Sequence, residues 1–289
     1  MLTLFTDTDT DITPAIAGQY GYKLISMPYS VDGKTIFPYI DFDNFEAHSF
    51  YQMLRSGKIP STSALSKEKY VEYFEPVFSS GNDILYVHFS RAMSATFDSM
   101  DQAVKDLLVK YPERKFYEID TKGISIVSLN ILMAVGDMIK EGKTVDDILE
   151  WAKTEVDKYT VYFFADDLKF FSRSGRVSGI AGTMGNILGI RPIIFMNSEG
   201  KMVSIGKVKG RSNAINRLIE YVTELGDKPE KHRIIIANSD APDIAETIKE
   251  KLVEKFGNNL DIMIVAVNPT AGSHCGPDAV GISFHSVHR

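Results

Sequence analysis

Short apolar strands alternate with amphipathic helices through the first half of the chain, and this order restricts the fold more than any other feature. Strands are predicted at residues 2–5, 23–29, 83–88 and 114–120, and helices at residues 42–55, 97–110, 124–141 and 145–157. A further helix is predicted to begin at Thr13-Pro14, because threonine is a good N-cap and proline fits the first helical position. Such alternation is typical of a mainly parallel sheet with helices on both faces.

Polar residues follow these strands at the points where the strands end. Hydroxyl-rich segments come after residues 6, 88 and 120, and ligands of parallel sheets bind beyond the carboxyl ends of the strands. Aspartates at 7, 9 and 11 suggest a calcium loop, but Ile12 and Gly18 stand where an EF-hand needs Gly and Glu. We therefore expect these carboxylates to accept backbone N–H groups at the strand end.

The second half of the chain has a different order of elements. Residues 190–196 and 202–208 flank Asn197-Ser198-Glu199-Gly200 and predict an antiparallel hairpin. Further strands are predicted at residues 159–165, 232–237, 260–267 and 279–284, with helices from about 210 to 225 and from 239, and with a tight loop at 272–278. We expect an α/β chain with a parallel-sheet domain over 1–158, a mixed-sheet domain over 159–289, and a cleft between them.

A glycine-rich segment follows the predicted strand at 159–165. Its glycines stand at positions 175, 179, 182, 185 and 189, so on a helix they would share one face. An interior glycine costs a helix about 0.5 to 1 kcal/mol relative to alanine. Two interpretations remain open, namely tight packing against another element and a slot in which a ligand approaches the backbone.

Charge and cysteine content exclude several classes of function. The net charge is −6 and the isoelectric point is about 5.6, whereas nucleic-acid binding needs a basic face, so we expect no nucleic-acid partner. A lone cysteine, Cys275, permits neither an intramolecular disulfide nor a thiolate-rich metal site, and we expect no metal. No apolar run reaches membrane-spanning length and no signal peptide is apparent, so we expect a soluble cytoplasmic protein without an integral membrane segment.

A series of short motifs runs through both halves: Thr6-Asp7-Thr8 with Asp11, Thr62-Ser63, Ser94-Ala95-Thr96-Phe97, Asp120-Thr121, residues 168–176, Arg191-Pro192, Arg211 and His274-Cys275-Gly276-Pro277. In this order, and over essentially the whole chain, they resemble the motifs of the DegV family, the fatty-acid-binding subunits of bacterial fatty acid kinases. The resemblance implies a two-domain α/β fold that buries a long-chain fatty acid between its domains. It also implies a separate ATP-dependent kinase subunit, which makes the acyl phosphate, and no cofactor in this chain.

The same resemblance implies roles for individual residues. The family positions that hold the fatty-acid carboxylate correspond to Thr62, Ser94 and His274. Those of Arg176 and Arg211 correspond to the head-group network or to kinase docking. A hydroxyl or imidazole donor is the chemistry that a buried carboxylate needs, because an unpaired buried charge costs several kcal/mol.

The chain also departs from the family pattern at several motifs. The usual Ser-Gly-Thr-Tyr is Ser94-Ala95-Thr96-Phe97, Gly-Gly-Arg is Ser174-Gly175-Arg176, and Gly-Pro-Gly is Gly276-Pro277-Asp278. The glycine-rich run after Asp120-Thr121 is replaced by Lys122-Gly123-Ile124-Ser125-Ile126. These changes bear on chain-length preference and head-group geometry and leave the expected fold intact.

Enzymatic alternatives have weaker support in the sequence. A hydrolase that uses Ser94 with His274 on a lipid-like ester is the main alternative, but the chain has no Gly-x-Ser-x-Gly elbow. Cys275 beside His274 is no better as a nucleophile, since triad partners are usually distant in sequence. Neither Gly-x-Gly-x-x-Gly nor Gly-x-x-x-x-Gly-Lys occurs, so the common nucleotide-binding loops are absent. We therefore expect a binding subunit rather than an enzyme.

Overall fold

Strands and helices alternate along the chain in the computed structural model, which describes residues 1–166, 168–179 and 189–289. The strands are β1 Leu2–Asp7, β2 Tyr22–Ile25, β3 Tyr29–Val31, β4 Lys34–Ile36, β5 Ser61–Thr62, β6 Asp83–His88, β7 Phe116–Asp120, β8 Tyr159–Phe164, β9 Val177–Ser178, β10 Ile190–Met196, β11 Met202–Lys209, β12 Ile234–Asn238, β13 Ile262–Ala266 and β14 Val280–His285. The α-helices are α1 Pro14–Tyr20, α2 Ala47–Arg55, α3 Lys67–Ser79, α4 Thr96–Lys110, α5 Ile126–Lys140, α6 Val145–Glu155, α7 Lys169–Ser174, α8 Arg211–Leu225, α9 Pro242–Phe256 and α10 Pro269–Cys275. The predicted α/β class is confirmed.

A four-stranded parallel sheet forms from the first half of the chain, with strand order β2-β1-β6-β7. Its side chains alternate between the two faces, as the period of two in a strand requires. Phe5, Ile84 and Tyr86 pack with α3 and α4 on one face. Leu4, Leu85, Val87 and Ile119 enter a second core on the other face. The sheet is therefore apolar on both sides, as predicted for parallel strands.

A seven-stranded mixed sheet forms from the second half, with strand order β13-β12-β14-β8-β10-β11-β9. β12 and β13 are parallel, whereas β14 is antiparallel to β8 and β12, and the predicted hairpin of β10 and β11 is confirmed. Tyr162, Phe164 and Ile282 pack on α8 and α9. Val161, Ile235 and Ala237 point the other way, into the same core as the inner face of the first sheet.

Helix α5 joins the two sheets through this shared core. It contacts α1 near the first sheet and contacts β8, β12 and β14 in the second. Ten of its residues are buried, and they occupy most of its circumference. Although α5 precedes residue 158, it packs on the second sheet, and a domain boundary at 158 stays a prediction. In the described part of the chain, no helix has the length and hydrophobicity needed to cross a membrane.

Three predicted elements differ from the structure. The strand predicted at 23–29 is two strands, because Met27 N donates to the Thr8 hydroxyl and Pro28 has no N–H for a ladder. The helix predicted from residue 42 begins at Ala47, because the backbone of Glu46 is not helical, and Phe45 folds back onto the ring of Phe50. Most of the loop predicted at 272–278 is helical, because Asn268 caps the start of α10 and Ala271 N donates to its side chain.

A helix with glycines 175, 179, 182, 185 and 189 on one face is not what the structure shows at three of these five positions. Gly175, Gly179 and Gly189 have φ angles of 66°, 78° and 81°, in the left-handed region that an α-helix does not use. Gly175 ends α7, and Val177–Ser178 then forms β9. Gly182 and Gly185 lie outside the described residues.

Replacement of Gly136 by alanine tests how closely α1 packs on α5. A Cβ at Gly136 would lie 2.3 Å from the Tyr20 ring, whereas a Cβ at Gly18 in α1 meets nothing within 4 Å. Both glycines are inside helices, so the gain in helix propensity is similar. We expect Gly18→Ala to raise the free energy of unfolding by about 0.5 to 1 kcal/mol and Gly136→Ala to lower it by about 1 to 3 kcal/mol in urea titrations. Equal stabilisation by both variants would contradict the packing described here.

Candidate functional site

A cavity of about 1040 Å³, counting the space at its mouth, lies between the two sheets. Most of its walls are apolar side chains from the inner face of the second sheet and from the segments that follow the strands of the first. The apolar lining residues include Met27, Phe89, Met93, Ile124, Ile126, Val161, Phe163, Phe171, Met202, Ala237, Val267, Ala271 and Val280. Such a lining suits an apolar ligand with a few polar groups at its end.

Thr62 and His274 meet at the wall of this cavity. Strand β5 pairs with β3 in a small antiparallel sheet, with Thr62 opposite Tyr29, and α10 packs against both strands. The Thr62 hydroxyl is 2.9 Å from His274 Nε2. Two residues that are 212 positions apart in the sequence are therefore hydrogen-bonded beside the same space.

Ser94 lines the cavity directly before α4. It ends a short 3-10 helix, Arg91–Met93, and its oxygen accepts a hydrogen bond from Thr96 N at 3.2 Å. A hydroxyl that accepts in this way still has its hydrogen to donate. Ser94 is half-buried and also lines a surface depression that adjoins the cavity, so it stands where the cavity meets solvent.

Arg176 and Arg211 have different positions. Arg176 is exposed, donates to the Ser174 carbonyl at 2.6 Å, and lines both the cavity and the adjoining depression. Arg211 lines neither of them and forms an ion pair with Asp166, which also binds Arg191. Although burial raises the pKa of Asp166, the two guanidinium groups hold it below its usual value. Only Arg176 of this pair stands at the cavity.

His274 is uncharged at neutral pH. Burial is the larger cause and the nearby Arg176 guanidinium the smaller, and together they lower the pKa of His274 to about 4. A neutral imidazole has one N–H donor and one acceptor nitrogen. Nε2 of His274 can therefore either donate to the Thr62 hydroxyl or accept from it. Nδ1 then has the opposite role.

The three aspartates after β1 do not share one role. Asp7 accepts from Asp9 N and Phe89 N, and Asp11 accepts from Asn268 N, as predicted for strand-end carboxylates. Asp9 instead lines the cavity and is 6% exposed. Sequence reasoning missed this residue as a cavity residue, together with Thr270 beside it. The only sequence signal at Asp9 was the alternation of aspartates 7, 9 and 11, and this pattern does not show which of the three side chains points toward a cavity.

Geometry gives the hydrolase alternative no support. In the described part of the chain Ser94 and His274 share no hydrogen bond, and the charge that acts on His274 is the cation of Arg176. A catalytic histidine base is normally oriented by a carboxylate, which raises its pKa. Burial raises the pKa of the Cys275 thiol to about 12, so a thiolate nucleophile is also disfavoured.

A possible metal-ligand group lies away from the cavity. Asp227, His232 and His285 place one ligand atom each within 4.8 Å of the others. His285 Nε2 already contacts Glu155 at 3.1 Å, and the two imidazole rings stack with centroids 4.0 Å apart. None of these side chains lines the cavity. The absence of a metal requirement therefore stays a prediction.

Comparison with known proteins places the whole chain in one family. The profile of the DegV family, described as an uncharacterised protein family, matches residues 1–287. The chain belongs to the DegV family. It is 31% identical over 281 residues to the DegV domain-containing protein CPE0026 of Clostridium perfringens, covering 97% of this chain and 96% of that protein.

Solved DegV structures have the same fold. The DegV family protein of Thermus thermophilus, described for its fatty acid binding, has a TM-score of 0.86 at 20% identity, with 99% of both chains covered. The fatty acid binding DegV family protein SAG1342 of Streptococcus agalactiae has a TM-score of 0.82 at 25% identity, with 98% of both chains covered. The predicted two-domain DegV arrangement agrees with these structures.

The effect of the Arg176 charge can be measured as a change in the pKa of His274. We expect an NMR titration of the imidazole to give a pKa near 4, below the ordinary 6.5. Arg176→Gln removes the nearby cation and should raise this pKa, but only part of the way, because burial is the larger cause. Arg173→Gln removes an exposed charge from the same turn and serves as the control. Equal pKa values in Arg176→Gln and the wild type would show that the guanidinium does not act on His274.

Proposed function

We propose that this DegV chain binds a long-chain fatty acid in the cavity between its sheets. The observation that carries the proposal is the division of the cavity between apolar walls and a few hydrogen-bonding side chains. Thr62 and His274 lie at its wall, and Ser94 and Arg176 lie where it meets solvent. The apolar walls suit an acyl chain and the polar group suits its carboxylate. The family supports this ligand, because the Thermus thermophilus and Streptococcus agalactiae proteins are described as fatty-acid-binding.

Burial of the acyl chain supplies the main driving force. Each buried CH₂ group contributes about 0.8 kcal/mol, so a dozen of them give a gross gain on the order of 10 kcal/mol. Loss of chain and translational freedom offsets much of that gain. The side chains of Val161, Phe163 and Ala237, from strands of the second sheet, are among the apolar groups that line the cavity for this contact.

The carboxylate is proposed to bind Thr62, Ser94 and His274, with Arg176 beside them. Ser94 has a hydrogen to donate, and the pair of Thr62 and His274 can reorient its shared hydrogen bond toward the ligand. An entering carboxylate also favours the protonated imidazole, so it opposes the effects that lower the pKa of His274. Arg176 lines the cavity beside these residues and is proposed either to join this head-group network or to dock the kinase.

Replacement of the head-group donors should weaken fatty-acid binding without unfolding the protein. Ser94→Ala and His274→Ala each remove a donor to a charged ligand, and a loss of about 1.5 to 3 kcal/mol corresponds to a roughly 10- to 150-fold higher Kd for stearic acid. Displacement of a fluorescent fatty acid measures this change, and urea titration checks stability. His48→Ala, at a mainly exposed histidine outside the cavity, is the control. Wild-type affinity in both cavity variants would exclude this head-group site.

We further propose that the chain is a non-catalytic subunit that presents the carboxylate to a separate ATP-dependent kinase in the cytoplasm. Arg176 is exposed where the cavity meets the surface depression, and Ser94 lines both, so a partner at this surface would reach the head group. Arg91 and Asp98 also line the depression and offer charges of both signs. We propose no cofactor other than the bound fatty acid.

The kinase proposal is tested with and without the partner. Purified chain with ATP and Mg²⁺ should form no acyl phosphate, because phosphoryl transfer needs a phosphate cradle and acidic Mg²⁺ ligands that the sequence does not indicate. With the cognate kinase subunit, Arg176→Ala and Arg211→Ala should each raise the half-saturating concentration and slow acyl-phosphate formation. The difference from wild type should shrink as salt rises, since exposed charges are screened.

The amount of bound fatty acid in each arginine variant distinguishes a role in kinase docking from a role inside the protein. Docking residues should leave the copurified fatty acid in place, as measured by extraction and mass spectrometry. Loss of lipid from Arg176→Ala would assign that residue to the head-group site instead. For Arg211, whose partner is Asp166, loss of stability without a kinase defect would remove it from the docking surface.

A further inference from the structure

His285, at the end of β14, has a buried ring nitrogen without a hydrogen-bond partner. The side chain is 5% exposed, and among the described residues nothing pairs with its Nδ1. The other ring nitrogen, Nε2, lies 3.1 Å from Glu155 Oε2. A carboxylate only accepts, so Nε2 carries the hydrogen and the neutral ring has its lone pair on Nδ1. Buried polar atoms without a partner are rare in folded proteins and need a specific explanation.

The group that faces this nitrogen is a second acceptor. Asp227 Oδ2 is 3.6 Å from His285 Nδ1, which is too far for a hydrogen bond. A lone pair and a carboxylate at this distance repel each other unless a positive charge lies between them. A second proton on His285 would supply that charge, and so would a metal cation. A third side chain distinguishes these two explanations.

His232 brings another imidazole to the same place. Its ring stacks on that of His285 with centroids 4.0 Å apart. One ligand atom from each of Asp227, His232 and His285 lies within 4.8 Å of the other two. A proton on His285 satisfies one lone pair, whereas a metal ion takes lone pairs from both imidazoles and from the carboxylate at once. The composition of the group therefore favours a cation that prefers nitrogen ligands.

Backbone contacts hold the carboxylate against the end of β14. Asp227 N donates to the His285 carbonyl at 3.0 Å. The chain then turns through Lys228, whose φ is 48°, and a 3-10 helix, Pro229–Lys231, returns it to His232. Two of the three side chains thus come from the connection between α8 and β12, and the third comes from a strand of the second sheet.

We propose that Asp227, His232 and His285 bind a Zn²⁺ ion that ties the α8–β12 connection to β14, apart from the fatty-acid cavity. Zinc binds histidine nitrogen and aspartate oxygen tetrahedrally at about 2.0 to 2.2 Å, so the ligand atoms would lie about 3.3 Å apart. The half-buried His232 would turn out of its stack to reach the ion. A water molecule would take the fourth position, on the side where the Asp227 side chain is 36% exposed.

Glu155 completes this arrangement from the first half of the chain. Histidines that bind a metal usually donate their other N–H to a carboxylate, which orients the ring and makes it a stronger ligand. Glu155 Oε2 has this relation to His285 Nε2, and Glu155 Oε1 pairs with Lys158 at 2.6 Å. The expectation of no metal rested on the lone Cys275, which excludes thiolate-rich sites but not sites of imidazole and carboxylate.

Zinc titration of the full chain, treated with a chelator and without a polyhistidine tag, tests the proposal. We expect calorimetry to give one Zn²⁺ per chain with a Kd on the order of 1 to 10 μM, and about 100 μM zinc to raise Tm by about 2 to 5 °C. Mg²⁺ prefers oxygen ligands and should do neither at the same concentration. Absence of zinc binding up to about 1 mM would overturn the site and leave a second proton as the explanation of Nδ1.

Variants of the ligands locate the bound ion. Asp227→Asn and His232→Ala each remove one ligand from a half-buried position, and each should raise the Kd for zinc about 100-fold. His48→Ala is the matched control, because His48 is an exposed histidine that contacts Asp240 but belongs to no such group in the described part of the chain. Wild-type zinc affinity in both ligand variants would assign the ion elsewhere and overturn the proposal.

Glu155 is tested as a positioning residue. Glu155→Ala should raise the Kd for zinc about 10- to 100-fold, whereas Glu155→Gln keeps an acceptor for His285 Nε2 and should recover part of the loss. Equal zinc affinity in Glu155→Ala and the wild type would remove Glu155 from the site. None of the zinc ligands lines the cavity, so these outcomes are independent of fatty-acid binding.

Discussion

The buried carboxylate of Asp11 connects the parts of the chain on which the cavity depends. One oxygen accepts from the backbone and side-chain nitrogens of Asn268, at 2.8 and 2.6 Å, and the other accepts from the Ser125 hydroxyl. Asn268 caps α10, and Ser125 immediately precedes α5. A single side chain at the end of β1 therefore fixes the starts of two helices, one of which carries His274 into the head-group site.

This connection has an energetic cost, because carboxylates are withdrawn from water. Burial raises the pKa of Asp7 and of Asp11 to about 6, even though both accept hydrogen bonds that favour the charged form. Their partners lie on β6 and at the residues that precede α5 and α10, so the cost is offset by contacts that define the tertiary structure. Asp9 stands between them and lines the cavity, and among the described residues its Oδ1 is buried without a hydrogen-bond partner. The segment thus combines two carboxylates that connect separate elements with one that lies at the cavity wall.

The fold was largely predictable from sequence, because periodicity and caps are local properties. Thr13 caps α1, and β10 and β11 form an antiparallel hairpin, both as predicted. The errors have two origins. A tertiary contact interrupted the strand predicted at 23–29, where Met27 N donates to the Thr8 hydroxyl. The Asn268 cap of α10 and the left-handed Gly175 at the end of α7 are local signals that the sequence analysis missed.

The sequence by itself determined the alternation of strands and helices, the hydroxyl clusters at strand ends, and the set of candidate head-group residues. Only the tertiary structure decided that Thr62 meets His274, that Arg211 pairs with Asp166 away from the cavity, and that Asp9 lines the cavity. The physical reason is that hydrogen bonds between residues distant in the sequence depend on how the sheets pack. Local propensity sets where a strand ends, whereas the direction of a buried side chain beyond that end is set by the donors that other elements bring to it.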